Sequence, residues 1–429
     1  MRYIILSLVI LISSKVFAQQ PDTAFYSVVG NGFITGVQKS WKENKNEHHY
    51  IYYYNDRGRG ENVSETIVTS DDGRIISSST SGVDYFKSPY TSSFSASNDS
   101  VVWITNGVKK AKRNKKEIYN QNIAPGTKEL VLSWTLMQAG HKSYILPDDS
   151  IKVDEPLTKT VTYNNKTITL RLIASYNGRN PTPIYTWMTD NMRFFATLTT
   201  WSGVIAKGYE KWADTLLALQ EKEAAGYFAS QVKQYSTTLK KHLLIIHAKL
   251  FNSATATTQS NMSVDVMDGK IISIFSSDEK TNLHADTVID AKGKFLMPGL
   301  WDMHSHFAKE DGVWYLAGGV THVRDMANAE IIQTWQQQIR ANQLLGPDIS
   351  YLSGLIDKED PLQAPGGKIV PGLEKALEAV DYYHQKGYNQ IKLYSSIKPE
   401  WVKPIAERAH ELGMRVAGHV PAYMNAVQQ

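Results

Sequence analysis

The stretch 295-FLMPGLWDMHSHF-307 closes an apolar run with two histidines one residue apart. Residues two apart in a strand point the same way, so His304 and His306 would project from one face at the strand's C-terminal end. Two imidazoles on one face suit a divalent metal. Alone, the pair reads equally well as two unrelated polar side chains, and the residues that follow must decide. After Phe295 the periodicity becomes strand, loop, helix, strand. Further strand candidates are "GVTHVRDM" from Gly319, "PDISYLSG" from Pro347, "NQIKLYSS" from Asn389 and "MRVAGHV" from Met414. Between them Leu373, Ala376, Leu377, Val380 and Tyr383 share a helix face that Gly387 ends, while Pro399 opens the next helix and Gly413 closes it. Alternating units with near-continuous apolar strands predict a parallel sheet covered by helices, as a (β/α) barrel or, alternatively, a doubly wound open sheet.

Barrel enzymes place their chemistry at the C-terminal ends of the strands. Lys392 and His419 fall at the ends of two later strands, so four candidate ligands share one rim. An ammonium cannot ligate a metal, but burial beside cations lowers a lysine pKa. The neutral amine can then take up carbon dioxide to become a carbamate, an oxygen donor able to bridge two ions. The alternative is a lysine that snorkels out of the mouth or pairs with Asp325. His322, Arg324 and Asp325 lie near the end of the second strand. There Arg324 either grips a substrate carboxylate in bidentate fashion or pairs with Asp325 or a neighbouring strand end, and Tyr394 either lines the pocket or packs.

Composition limits these readings. The 429 residues are 42% hydrophobic and 21% charged, enough for two or three domains with substantial cores. A formal charge of +4 gives no case for nucleic acid as a partner. The absence of cysteine excludes thiolate metal sites, disulfides and cysteine nucleophiles, so a metal here needs nitrogen and oxygen donors.

Residues 1–18 read as a signal peptide: "MRY" is a short basic start, Ile4 to Ile12 an apolar run, and "VFA" precedes cleavage after Ala18. The run is shorter than the roughly 20 residues needed to span a bilayer, so the expectation is a periplasmic or secreted protein with no membrane span. Residues 19–241 read as an antiparallel, meandering β module, with strands such as "HHYIYYYND" and "ETIVTS" and turns at Asn31-Gly32 and Asp72-Gly73. Val204 to Tyr235 reads as one or two helices closing that module. His48 and His49 should face opposite sides of a strand, and the Lys109–Lys116 run reads as a solvated loop, with binding to anionic lipid or cell-wall polymer as the alternative. Residues 242–294 form a small β-sandwich segment with turns at Asp268-Gly269 and Lys292-Gly293, and His247 is a core or edge histidine within it.

From His242 onward the chain resembles the metal-dependent amidohydrolase superfamily, in its imidazolonepropionase-like and dipeptidase-like branch. "GKFLMPGLWDMHSHF" resembles its first-strand signature, "AGGVTHVRDM" its second strand, "IKLYSS" its fourth and "AGHV" its fifth. The resemblance implies a small β sandwich joined to a (β/α)8 barrel, of which 295–429 would supply the first five strands. It also implies metal-assisted hydrolysis of amide or other C–N bonds in a peptide-like or cyclic amide substrate. His304 and His306 would hold a buried metal, Lys392 would bridge as a carbamate, and His419 would hold a second ion. Nitrogen and oxygen ligation favours zinc, with manganese, iron or nickel as alternatives. The family also uses a histidine after its sixth strand and a general-base aspartate after its eighth. Neither occurs before Gln429, so the expectation is a C-terminally truncated chain, inactive alone, with no catalytic residue assigned. Two other classes stay open: a non-catalytic envelope protein binding polymer or lipid through its N-terminal module, and a solute-binding protein with an open α/β sheet.

Overall fold

A computed structural model describes residues 22–30, 33–116, 118–119, 123–146, 149–178, 180–237, 239–279, 284–360, 363–364 and 366–427. The leader, its cleavage point at Ala18 and the Asn31-Gly32 turn lie outside them. The chain forms two compact units divided between Gln220 and Glu221, inside the helix Ala213–Tyr235.

In the first unit a sixteen-stranded sheet is antiparallel throughout its described pairings except between Ile118–Tyr119 and Lys142–Leu146. Strand Ala24–Gly30 joins the two halves of the meander, pairing with Phe33–Lys42 on one side and Ser202–Ala206 on the other. Successive residues point to opposite faces, and in the second half both faces are covered. Ile173, Met188, Phe194 and Val204 face one core, which helix Lys128–Leu136 joins through Leu130, Val131, Leu132 and Trp134. Their neighbours Leu172, Trp187, Phe195 and Ile205 face a second core with Trp212 and Leu216. Val204 to Ala206 is thus strand, not helix: β-branched Val204 and Ile205 complete a ladder, and the helix begins at Ala213.

His48 is buried, while His49 stacks on Trp41 with ring centroids 5.0 Å apart, so the pair does face opposite ways. The lysine run is not a loop through Arg113. Val108–Arg113 is a strand at the end of the sheet, paired only with Ser100–Thr105 among the described residues. Charged side chains on an edge strand oppose pairing with another chain, which explains lysines at β positions.

The second unit opens with a mixed sheet in the order Lys270–Ser276, Thr257–Met267, His242–Asn252, Thr287–Asp290. Asp268 and Gly269 both have positive φ, 50° and 76°, as a two-residue hairpin with a right-handed strand twist requires. His247 is neither a core nor an edge histidine: it is exposed at a bulge of the central strand His242–Asn252, with φ 54°, and its Nδ1 lies 3.0 Å from Asp290 Oδ1. Phe295–Leu296 pairs with this sheet, so the barrel's first strand starts only at Leu300. The break falls at Pro298-Gly299, where a Cβ on Gly299 would overlap Thr321 Oγ1 at 2.0 Å.

Five parallel strands follow in sequential order: Leu300–Ser305, Val320–Asp325, Asp348–Lys358, Gln390–Leu393 and Arg415–Gly418, with Lys368–Val370 added to the third. Helices Gly312–Ala317, Ile331–Arg340, Leu373–Gln385 and Pro399–Glu411 intervene. A doubly wound sheet would reverse its order at a switch point. This one does not, and it is a partial (β/α) barrel. Ala376, Ala379, Val380 and Tyr383 bury one helix face; Gly354 leaves room for the Tyr383 ring, whose hydroxyl donates to Leu355 O at 3.0 Å. Among the described residues no helix is long and apolar enough to cross a membrane.

Candidate functional site

Parallel register sets which side chains share the sheet's inner face. Gln390, Lys392, Arg415 and Ala417 align across the fourth and fifth strands, and Ser353 and Leu355 align with the first two of them on the third. His304 is the penultimate residue of the first strand, and His306 lies one residue past its end. Their rings stand 5.5 Å apart between centroids, inclined at 63°. The His306 Nδ1 lies 2.8 Å from Ala327 O. A carbonyl only accepts, so Nδ1 carries the proton, and in the neutral ring the lone pair sits on Nε2. The His304 backbone N donates to Asp302 Oδ1 at 2.9 Å.

Lys392 is among the most buried large side chains of the molecule, at 2% exposure, so it does not snorkel. Among the described residues it forms no hydrogen bond or ion pair, its one aromatic neighbour being Tyr394, 5.8 Å from Nζ to ring centroid. Burial lowers its pKa, and Asp325 acts the other way. Burial also lowers the His304 pKa, followed by the charges of Lys392, His306 and Arg324, with Asp302 opposing them. The charge of Lys392 is thus felt at His304.

Asp325 pairs with neither Lys392 nor Arg324 among the described residues; of the alternatives the sequence left open, Arg324 takes the neighbouring strand end. It is 1% exposed and accepts from Phe307 N at 2.9 Å, Ala327 N at 3.2 Å and Asn328 Nδ2 at 3.2 Å. Burial raises its pKa although these hydrogen bonds and the His306 charge lower it. Arg324 donates from Nε to Met303 O at 2.7 Å.

The remaining candidates are spread out. His322 lies in the first half of its strand, stacked on Trp301 at 4.7 Å, and not at the mouth. Tyr394 packs beside Leu355, Ala327 and Ala364 and meets the His419 ring at 4.4 Å between centroids. His419 lies one residue past the fifth strand, with Nδ1 3.5 Å from Ser395 Oγ. Among the described residues no three His, Asp or Glu side chains are close enough together to hold an ion. The donor chemistry of His304 and His306 suits a divalent cation, and Lys392 is a buried amine with no hydrogen bond or ion pair among the described residues; His419 forms no metal-holding group with that pair among the described residues. Sequence reasoning missed Asn328, whose Nδ2 also donates to Phe307 O at 2.7 Å. The only sequence signal was an Asp and an Asn, three apart, at a strand end, the pattern of side chains that bond local backbone.

No family model matches the chain. Among curated proteins, adenine deaminase 2 of Shouchella clausii (strain KSM-K16) is 26% identical over 195 residues, covering 42% of this chain and 33% of the relative. Among solved structures, a prolidase-like protein from Bifidobacterium longum is 25% identical, with TM-score 0.38, covering 42% of this chain and 50% of that one. A Xaa-Pro dipeptidase with bound methionine is 20% identical, with TM-score 0.35, covering 42% and 57%. The chain therefore spans about a third of the length of the curated relative and about half of the solved chains. Over about 42% of its length the chain is related to the amidohydrolase superfamily, a relation consistent with its partial barrel. That superfamily is generally metal-dependent.

Proposed function

We propose that this chain carries part of a metal-dependent hydrolase centre acting on amide or other C–N bonds, in a peptide-like or cyclic amide substrate. The observation that carries the reading is Lys392, a buried amine with no hydrogen bond or ion pair among the described residues, on the fourth strand of the sheet whose first strand carries His304. An uncompensated buried charge is costly, so its retention is best explained by a bound group that uses it. The similarity to an adenine deaminase agrees with C–N chemistry. His304 and His306 would hold the ion, zinc by donor type, and Lys392 would join them once carboxylated, with His419 a candidate for a second ion. A divalent cation in such a place lowers the pKa of bound water and polarises a scissile carbonyl. Arg324, anchored through Nε, keeps its terminal amines for a substrate carboxylate, and Tyr394 lines the mouth between Lys392 and His419. The activity belongs to the whole protein, exported from the cytoplasm by the leader.

The test is zinc titration of the full chain and of His304→Ala and His306→Ala, with hydrolysis of dipeptide and cyclic amide panels by the whole protein. The expected result is one or two zinc equivalents in the parent, lost in both variants. Zinc uptake unchanged in both variants, or absent from the parent, overturns the reading.

A further inference from the structure

The two segments that frame the first histidine pair, 306–308 after the first strand and 326–329 after the second, contain no helix or strand. His306 is exposed, so packing does little to orient its ring. What fixes it is the Ala327 carbonyl, 2.8 Å from Nδ1, and that carbonyl sits in the second irregular segment. Asp325 ties both segments together: one carboxylate oxygen accepts from Phe307 N and Asn328 Nδ2, and the other accepts from Ala327 N. The tie is anchored on three sides. Phe307 is fully buried between Tyr315 and Trp335, with ring centroids 5.9 and 6.1 Å away. Ser305 O accepts from Met326 N at 2.8 Å. From the third strand, Ser353 Oγ donates to Asp325 O at 2.6 Å.

We propose that Asp325 is a positioning residue of the centre: by binding Phe307 N, Ala327 N and Asn328 Nδ2 at once, it holds the Ala327 carbonyl against His306 Nδ1 and so fixes the ring and tautomer that present Nε2. The inference rests on the reading of His306 as a ligand. Only a carboxylate answers the geometry. Its two oxygens face three donors, and an amide in its place would turn an NH2 group on Phe307 N or Ala327 N. A residue that orients a ligating histidine through its second nitrogen typically changes metal affinity about 10- to 100-fold when removed.

The experiment uses the full chain, with two readouts: zinc chloride titration, and the side-chain 15N resonances of His306 in metal-free protein. In Asp325→Asn, zinc affinity should fall about 10- to 100-fold, and His306 should pass from a single Nδ1-protonated tautomer to a mixture. Ser353→Ala loosens the same neighbourhood without touching the carboxylate and should leave the tautomer unchanged. If Asp325→Asn does not fold, Asn328→Ala removes one of the three donors and should weaken zinc about 3- to 10-fold in the same direction. An Asp325→Asn protein that keeps the parent's tautomer, with zinc affinity within about twofold, overturns the proposal, as does an Asn328→Ala protein that keeps both when Asp325→Asn fails to fold. A parent that binds no zinc defeats the functional reading instead, and the tautomer comparison still decides whether Asp325 positions the ring.

Discussion

Glu65 in the N-terminal sheet and Lys392 in the partial barrel are equally hidden, at 1% and 2% exposure, yet their surroundings differ. Glu65 accepts from Thr80 Oγ1 at 3.0 Å, Ile123 N at 3.0 Å and Ala124 N at 2.8 Å. It pins the segment that leads into helix Lys128–Leu136, as Gln38 does by accepting from Gly126 N at 2.9 Å. Lys392 binds nothing comparable among the described residues. A buried charge surrounded by donors is part of the scaffold. One left without partners costs stability that the fold must supply elsewhere, and such costs concentrate at functional sites. The contrast locates function in the second unit, although the first has the larger sheet and the more extensive cores.

The largest expected effect is on the scaffold side. Glu65→Ala orphans two backbone donors, the buried Ala124 N and the partly buried Ile123 N, and should destabilise the first unit by about 3 to 5 kcal/mol, read by denaturant unfolding followed through tryptophan fluorescence. A loss below about 1 kcal/mol would mean that water replaces the carboxylate and the contrast is weaker than drawn.

His48 extends the test to pH. Burial, then the charges of Lys42, Arg193 and His49, lower its pKa to about 4. The unfolded chain takes up this proton near 6.5 and the folded chain only near 4, so the unfolded state binds more protons in between. Stability from this group is therefore complete above about pH 6.5 and is lost as pH falls towards 4, on the order of 3 kcal/mol in all. His48→Gln should remove that part of the acid slope; thermal melts of both proteins at intervals from pH 7.5 to 4 give the comparison.

Lys392→Met should act in the opposite direction to Glu65→Ala. Replacing an unpaired buried ammonium with an apolar chain of similar length is expected to stabilise the fold by about 1 to 3 kcal/mol, while zinc uptake is lost. A melting temperature that falls instead would show Lys392 to be a satisfied scaffold residue like Glu65, and the comparison would break.

Much of this was legible in the chain. Period-two patterning in stretches such as Ala24–Gly30 and Glu47–Tyr54 reads directly as strands, and the Asp268-Gly269 pair reads directly as a hairpin turn. The order of helix signals around Leu373–Gln385 and Pro399–Glu411 implies parallel strands. Errors arose where a local pattern serves two environments. Val204 and Ile205 precede a helix-rich stretch but are claimed by a ladder to Ala24–Gly30. The lysines of Val108–Arg113 look like loop because the sequence does not reveal that the strand has one neighbour. Phe295–Leu296 reads as continuous with the first barrel strand, and only pairing with His242–Asn252 separates them.

The sequence by itself determined the residue types available for chemistry: no thiolates, two histidines at strand spacing, a lysine and a histidine at later strand ends. It also determined the alternation that makes a barrel-type sheet, since both depend only on short-range periodicity. Whether Lys392 is paired, which partner Asp325 takes, where along its strand His322 lies and how far His419 stands from His304 were decided by tertiary structure. These are contacts between segments tens of residues apart, fixed by register and loop path. In such a setting one carboxylate can satisfy a backbone N–H as well as an ammonium, and only the packed arrangement selects between them.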